Sequence, residues 1–236
     1  MKRLIAVVAA CLSLALPNVA AAQDSAAARS VTGWEAVGRL NISGRNMCTG
    51  ALIAPNLVLT AAHCLFDPQT GRAVNPGNIR FEAGLNGRYA KAARQVVKAV
   101  VHPKYVFRPV GDAQIGHDLA VLRLDRPIST EHIQPFATSS QAGRGDAVGV
   151  MSYSYEHRDR PNWEQPCHVL ARKAQTMVMT CRVEYGASGS PVFEVLPGRP
   201  PRLVSVISAK AAMGNRRVSI GTAIDNSLWE LVQRAG

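Results

Sequence analysis

Three short stretches carry residue types that can do chemistry together. "TAAHC" (60–64) ends an apolar run on His63, "GHDLAVLRL" (116–124) sets Asp118 ahead of branched aliphatics, and "YGASGSP" (185–191) threads serines between glycines. Taken singly, each has a plainer account. A histidine can sit in a core with its ring satisfied by a carbonyl, an aspartate can open a strand, and Gly-Ser sequences favour turns. Together they supply the parts of acyl transfer by a serine. An alcohol is a weak nucleophile at neutral pH, so a base must take its proton. A carboxylate must hold that base in one tautomer, and backbone N–H groups must face the developing oxyanion. His63 and Asp118 offer the base and the carboxylate. "GASGS" offers a hydroxyl on a chain free to turn sharply.

Such residues, far apart in sequence, must be brought together by the elements around them. Short runs rich in branched residues recur at 36–42, 49–55, 56–61, 79–84, 94–101 and 118–124, then at 147–154, 176–181, 190–196, 202–208 and 217–224. Gly, Pro, Asn or Asp punctuates most gaps between them, as expected of a many-stranded antiparallel fold. The stretch 126–145, rich in Pro, Ser, Thr and Gly, reads as a crossover between two halves. Two small β-barrels of roughly six strands each fit the count. The tail breaks the pattern: Asp225, Asn226 and Ser227 are cap-type residues, followed by Leu228, Leu231 and Val232 on one face of a short C-terminal helix. The expected class is therefore all-β with one terminal helix. Met177 and Met179 alternate on one strand and are expected in the core.

Composition narrows the setting. The chain has 236 residues, with Lys+Arg exceeding Asp+Glu by 27 to 16 and a formal net charge of +11. No dense basic run interleaved with aromatics accompanies that excess, so nucleic acid is not an expected partner. Lys2 and Arg3 precede the apolar run 4–17, and Ala20-Ala21-Ala22 follows it, the layout of an export signal over 1–22. Cys11 in "VAAC" allows a lipoprotein reading, but the apolar run continues to Leu16. Residues 23–30 read as a leader or short pro-segment and 31–236 as the functional domain. The mature chain is expected to be secreted or periplasmic, without stable membrane insertion, and monomeric. Four cysteines remain, Cys48, Cys64, Cys167 and Cys181, which allow three pairings. Export favours disulfides, and proximity favours Cys48–Cys64 and Cys167–Cys181. Zinc is the competing reading, and the spacings do not match paired CxxC knuckles. His102, His117, His132, His157 and His168 show no metal-ligand spacing, and no cofactor is expected.

The boxes also carry a resemblance. "TGALIAPNLVLTAAHC" resembles the histidine box of trypsin-like serine proteases, "HDLAVLRL" their aspartate box, and "GASGSP" their nucleophile box. The order His, Asp, Ser is the chymotrypsin order. The similarity runs from about residue 31 to the terminal helix. It implies two perpendicular six-stranded barrels with a cleft between them, a peptide or protein substrate, and cleavage through an acyl-enzyme. It implies Asp118 rather than Asp112 as the carboxylate, Ser188 rather than Ser190 as the nucleophile, and Gly186 and Ser188 N–H as oxyanion donors. A protease-like binding module without turnover is the alternative, although such modules usually have a broken triad.

Two departures stand out. Animal members carry an aspartate before the serine that pairs with a new N-terminal ammonium after zymogen cleavage; here that residue is Ala187. The bacterial branch that includes glutamyl endopeptidases also lacks it and usually reads "GNSGSP", so the chain resembles that branch more. The expectation is an oxyanion hole formed without ammonium pairing. The specificity pocket is expected between 182–185 and the strand 205–213, with Arg182, Ile207, Ser208 and Lys210 as its candidates. Trypsins place an aspartate near Arg182, and glutamyl endopeptidases a histidine where this chain has Ile207. Arg182 or Lys210 would favour an acidic side chain by charge pairing. If both face solvent, the pocket is merely apolar.

Overall fold

The computed structural model describes residues 33–107, 115–196 and 198–236. The expected export signal and leader, Val31 and Asp112 lie outside the described residues. Twelve strands form two closed antiparallel barrels. The first is β1 (Val37–Ile42), β2 (Asn46–Ala54), β3 (Leu57–Thr60), β4 (Ile79–Ala83), β5 (Ala92–Val101) and β6 (Ala120–Leu124), in spatial order β1-β2-β3-β6-β5-β4. It closes because β1 pairs with both β2 and β4, which leaves no open edge. The second is β7 (Ala147–Ser152), β8 (Asn162–Lys173), β9 (Thr176–Met179), β10 (Pro191–Glu194), β11 (Arg202–Met213) and β12 (Arg216–Ala223), in order β10-β11-β12-β9-β8-β7. The stretch 126–145 joins the barrels.

Side-chain period decides what each strand buries. In β4 the residues Ile79, Phe81 and Ala83 point inward while Arg80 is exposed, the alternation of a half-buried strand. β3 is buried at every position, because the first barrel lies on one face and neighbouring structure on the other. Leu40, Leu52, Leu59, Phe81 and Leu122 fill the first barrel; Val150, Val169, Met177, Met179, Val192 and Val204 fill the second. Helix α1 (Ser227–Ala235) lays Leu228 and Leu231 against the first barrel's core. Its start is held by the Asp225 carboxylate, which accepts from Ser227 N at 2.9 Å. Both expected disulfides are present, Cys48–Cys64 and Cys167–Cys181.

One strand escapes the sequence pattern. β8 has few fully buried positions, and it holds Pro166. Proline donates no ladder hydrogen bond and is tolerated in sheets at bulges. The pairing steps from Val148↔Cys167 to Val150↔Glu164, so Gln165 and Pro166 face the single residue Gly149 across a bulge. Gly149 is needed there because a Cβ would lie 2.4 Å from the Trp163 ring.

Candidate active site

His63 does not end β3 itself. It sits three residues further, in a 3₁₀ turn (Ala62–Leu65) whose Cys64 is bonded to Cys48 on β2. Asp118 likewise precedes β6 by two residues, held in a turn where its N–H donates to Ile115 O at 3.3 Å. The two side chains meet twice. Asp118 Oδ2 lies 2.7 Å from His63 Nδ1, and Asp118 Oδ1 accepts the His63 backbone N–H at 2.8 Å. An ionised carboxylate only accepts, so this contact puts the hydrogen on Nδ1 and leaves the Nε2 lone pair free. The Asp118 side chain is 5% exposed and that of His63 29%, so the base reaches solvent while its orienter does not. Burial, the largest single effect, pushes the His63 pKa down, but the charge and hydrogen bond of Asp118 together outweigh it and hold it above 6.5.

Ser188 comes from the second barrel, in the loop before β10. Its carbonyl accepts Thr49 N from β2 at 2.8 Å. Gly189 has φ +79°, and a Cβ there would lie 2.2 Å from Thr60 Oγ1 and 2.3 Å from Thr49 O. The loop therefore packs backbone-to-backbone on the strands that lead to His63, a fit open to glycine alone. Two further hydrogen bonds orient the peptides ahead of the hydroxyl. Tyr185 O accepts Tyr155 N at 2.8 Å, and Ala187 O accepts Ser190 N at 3.0 Å. In a trans peptide the N–H points opposite to its carbonyl, so Gly186 N–H and Ser188 N–H both turn away from these acceptors. Among the described residues neither donates to a protein acceptor. Gly186 has φ +96°, with Ser154 Cα and Tyr155 N only 3.1 Å from where a Cβ would stand. Ala187 is fully buried in the second barrel's apolar cluster.

The four specificity candidates are placed differently. Arg182 is exposed and lines a cavity of about 870 Å³ with Thr180, Met213, Asn215, Arg216 and Arg217. Ile207 is buried; its N–H donates to Ser190 O at 2.9 Å and its carbonyl accepts Gly189 N at 2.8 Å, so it reaches the site as backbone. Ser208 Oγ lies 3.1 Å from Thr222 Oγ1, itself 3.2 Å from the Asp118 carbonyl and bonded to that of Ile115. Lys210 Nζ lies 3.3 Å from Glu184 Oε2 and 3.6 Å from the Tyr185 ring centroid. The His117 ring lies beside that of His102, tilted by 34° with centroids 4.8 Å apart.

The Cys48 and Cys64 sulfurs and a His63 ring nitrogen lie within 4.8 Å of one another. The sulfurs are bonded to each other, so neither is available as a thiolate ligand. Thr49, Thr60, Thr222 and Gly189 hold the site but were not singled out from sequence. The hint available was that Thr49 follows Cys48 and Gly189 is the second glycine of "GASGSP".

The fold agrees with what known proteins show. The family model described as Trypsin matches residues 24–227, and the chain belongs to that family. It is 36% identical over 107 residues to a trypsin of Saccharopolyspora erythraea, covering 42% of this chain and 40% of that one. It is 25% identical over 150 residues to a glutamyl endopeptidase of Bacillus licheniformis, covering 62% and 45%. The matched stretches thus span less than half the length of either relative. In three dimensions it resembles a Glu endopeptidase solved in complex with MPD, at a TM-score of 0.71 and 20% identity, covering 87% of this chain and 92% of that one. Among the described residues no helix is long and apolar enough to cross a membrane.

Proposed function

We propose that this protein is an exported serine endopeptidase that cleaves peptide bonds through an acyl-enzyme. The observation that carries the reading is the two-point grip of Asp118 on His63, at 2.7 Å to the ring and 2.8 Å to the backbone. In the proposed cycle Ser188 Oγ attacks the scissile carbonyl while His63 Nε2 takes its proton. The oxyanion forms against the Gly186 and Ser188 N–H groups. His63 then protonates the leaving amine, and water repeats the sequence on the acyl-enzyme. The two disulfides and the expected export signal support an extracytoplasmic protein, its domain beginning near residue 31. Both candidate cations face solvent, Arg182 in an open cavity and Lys210 beside a Glu184 that also faces Arg217, so the reading favours an apolar side chain at the scissile position. A peptide-library cleavage profile tests that preference.

Labelling with an organophosphate tests the activity. Stoichiometric modification of the wild type, lost in Ser188→Ala, supports the proposal; an inert wild type supports the silent binding module instead. Ala187 offers no carboxylate for a new N-terminal ammonium, so activity should not depend on exposing Val31. Comparing the mature form with variants truncated near Arg29 checks this, and an all-or-none requirement for a free Val31 would overturn it.

A further inference from the structure

The cleft's surroundings include a basic pocket of about 190 Å³ between the β1–β2 hairpin and the loop after β7, lined by Arg39, Asn41, Arg45, Asn46, Met47 and Arg158. None of these is an acid. We infer that this pocket binds an acidic side chain of the substrate, two to four residues beyond the scissile bond on the leaving-group side. The inference rests on the endopeptidase reading of the cleft.

Position is the first argument. The leaving amine must come within hydrogen-bond reach of His63 Nε2 to be protonated. Cys64 Sγ lies 4.0 Å from that nitrogen, and Cys64 is bonded to Cys48 of β2. The leaving half of the substrate therefore departs past this disulfide, along β2 towards Met47 and Arg45. Arg45 is three residues from Cys48, about 10 Å at about 3.3 Å per strand residue. An extended peptide covers that distance in about three residues. The other wall is fixed to the same machinery. Tyr153 N donates to Thr49 Oγ1 at 3.0 Å and Tyr155 N to Tyr185 O at 2.8 Å, which anchors the loop bearing Arg158 to both β2 and the nucleophile loop.

Charge is the second argument. Arg39 is committed, its Nε on Glu82 Oε2 at 2.7 Å and its NH1 on the Arg158 carbonyl at 2.9 Å. It builds the wall rather than offering charge. Arg45 and Arg158 have no carboxylate within ion-pair distance among the described residues, and Arg158 rests 5.1 Å from the Tyr155 ring centroid. Asp159, next in that loop, pairs with Arg160 at 3.5 Å. Two arginines without a carboxylate partner therefore line a space that holds a carboxylate and several waters, a water's share of liquid being about 30 Å³. Guanidinium forks suit carboxylates geometrically as well as electrically.

The test uses paired peptides that differ only in Glu against Gln at the third residue of the leaving half. At low salt the wild type should cleave the Glu peptide about tenfold faster in kcat/KM, with the ratio shrinking towards one as salt shortens the screening length to about 3 Å at 1 M. Arg45→Gln with Arg158→Gln should bring the ratio to one, and Arg45→Glu with Arg158→Glu should favour Lys there. In parallel, the free leaving-half peptides are titrated into the Ser188→Ala protein by calorimetry, a readout that needs no turnover. Tighter binding of the Glu form, lost in the double glutamine variant, supports the pocket even if the wild type cleaves nothing, which would defeat the endopeptidase reading alone. Equal cleavage and equal binding of Glu and Gln peptides overturn the inference and leave that reading intact.

Discussion

The Ser188 carbonyl accepts the Thr49 N–H at 2.8 Å, so the loop carrying the candidate nucleophile is hydrogen-bonded to the barrel carrying the candidate base. This contact makes the site a property of both barrels. Thr49 adds to it with its side chain: Oγ1 accepts Tyr153 N at 3.0 Å and lies 3.2 Å from Tyr153 O and 3.4 Å from Gly186 O. One buried threonine therefore touches the nucleophile loop, the wall before Arg158 and the residue of a proposed oxyanion donor.

Thr49→Val keeps the shape and deletes the hydroxyl, which strands the buried Tyr153 N–H. Leaving such a group unpaired costs about 1–3 kcal/mol. For a domain of this size the melting temperature should fall by roughly 2–4 °C per kcal/mol. Calorimetry on the variant checks this, and an unchanged melting temperature would show that the hydroxyl is dispensable.

Gly189→Ala should be worse, because the added methyl meets backbone. The position needs φ +79°, and its Cβ would stand 2.3 Å from Thr49 O. A non-glycine residue held in the left-handed region costs about 1–3 kcal/mol before any clash is counted. The variant should lose both thermal stability and organophosphate labelling. Retained labelling at the wild-type rate would mean that the loop can shift without displacing Ser188.

How far the sequence could be read depended on what each signal encodes. Eleven of the strands announce themselves through branched apolar runs, and the punctuation between them predicts two barrels, as found. β8 does not, since the Pro166 bulge and its partly exposed flank erase the period-two pattern. As candidates, His63, Asp118 and Ser188 were legible because acyl transfer demands those types and the boxes order them, and of these His63 and Asp118 are found in contact. The turns that aim them were not: His63 and Asp118 both lie outside their strands. Thr49 and Thr222 were invisible for a different reason. Each acts by satisfying a backbone group distant in sequence, Tyr153 N in one case and the Asp118 carbonyl in the other. Lys210 shows the same blind spot in electrostatics, since its pairing with Glu184, which Arg217 shares, appears only in three dimensions.

The Cys48–Cys64 bridge should matter more than its loop suggests. With a sequence separation of 16, the chain-entropy model gives about 3 kcal/mol. It also fixes the turn that carries His63. Replacing both cysteines by alanine should lower the melting temperature by roughly 6–12 °C and reduce kcat beyond what partial unfolding explains at a temperature where the variant is folded. Unaltered kcat in the folded variant would confine the bridge to stability.

The opposition between burial and Asp118 at His63 gives the sharpest prediction. The net effect raises the His63 pKa above 6.5, so the imidazolium is favoured in the folded protein. Its contribution to stability is fully present below pH 6.5 and is lost as pH rises through the folded-state value. Catalysis runs the other way, because only the neutral ring can accept the serine proton; kcat/KM should rise with pH along a limb centred above 6.5. Asp118→Asn removes the two effects that raise the pKa and leaves burial, which lowers it. The ring should then titrate below 6.5, although kcat falls by about 10⁴ as the tautomer is lost. Imidazole proton shifts followed by NMR in the Ser188→Ala background measure this without turnover. A His63 pKa that does not drop when Asp118 is neutralised would show that the carboxylate does not stabilise the imidazolium.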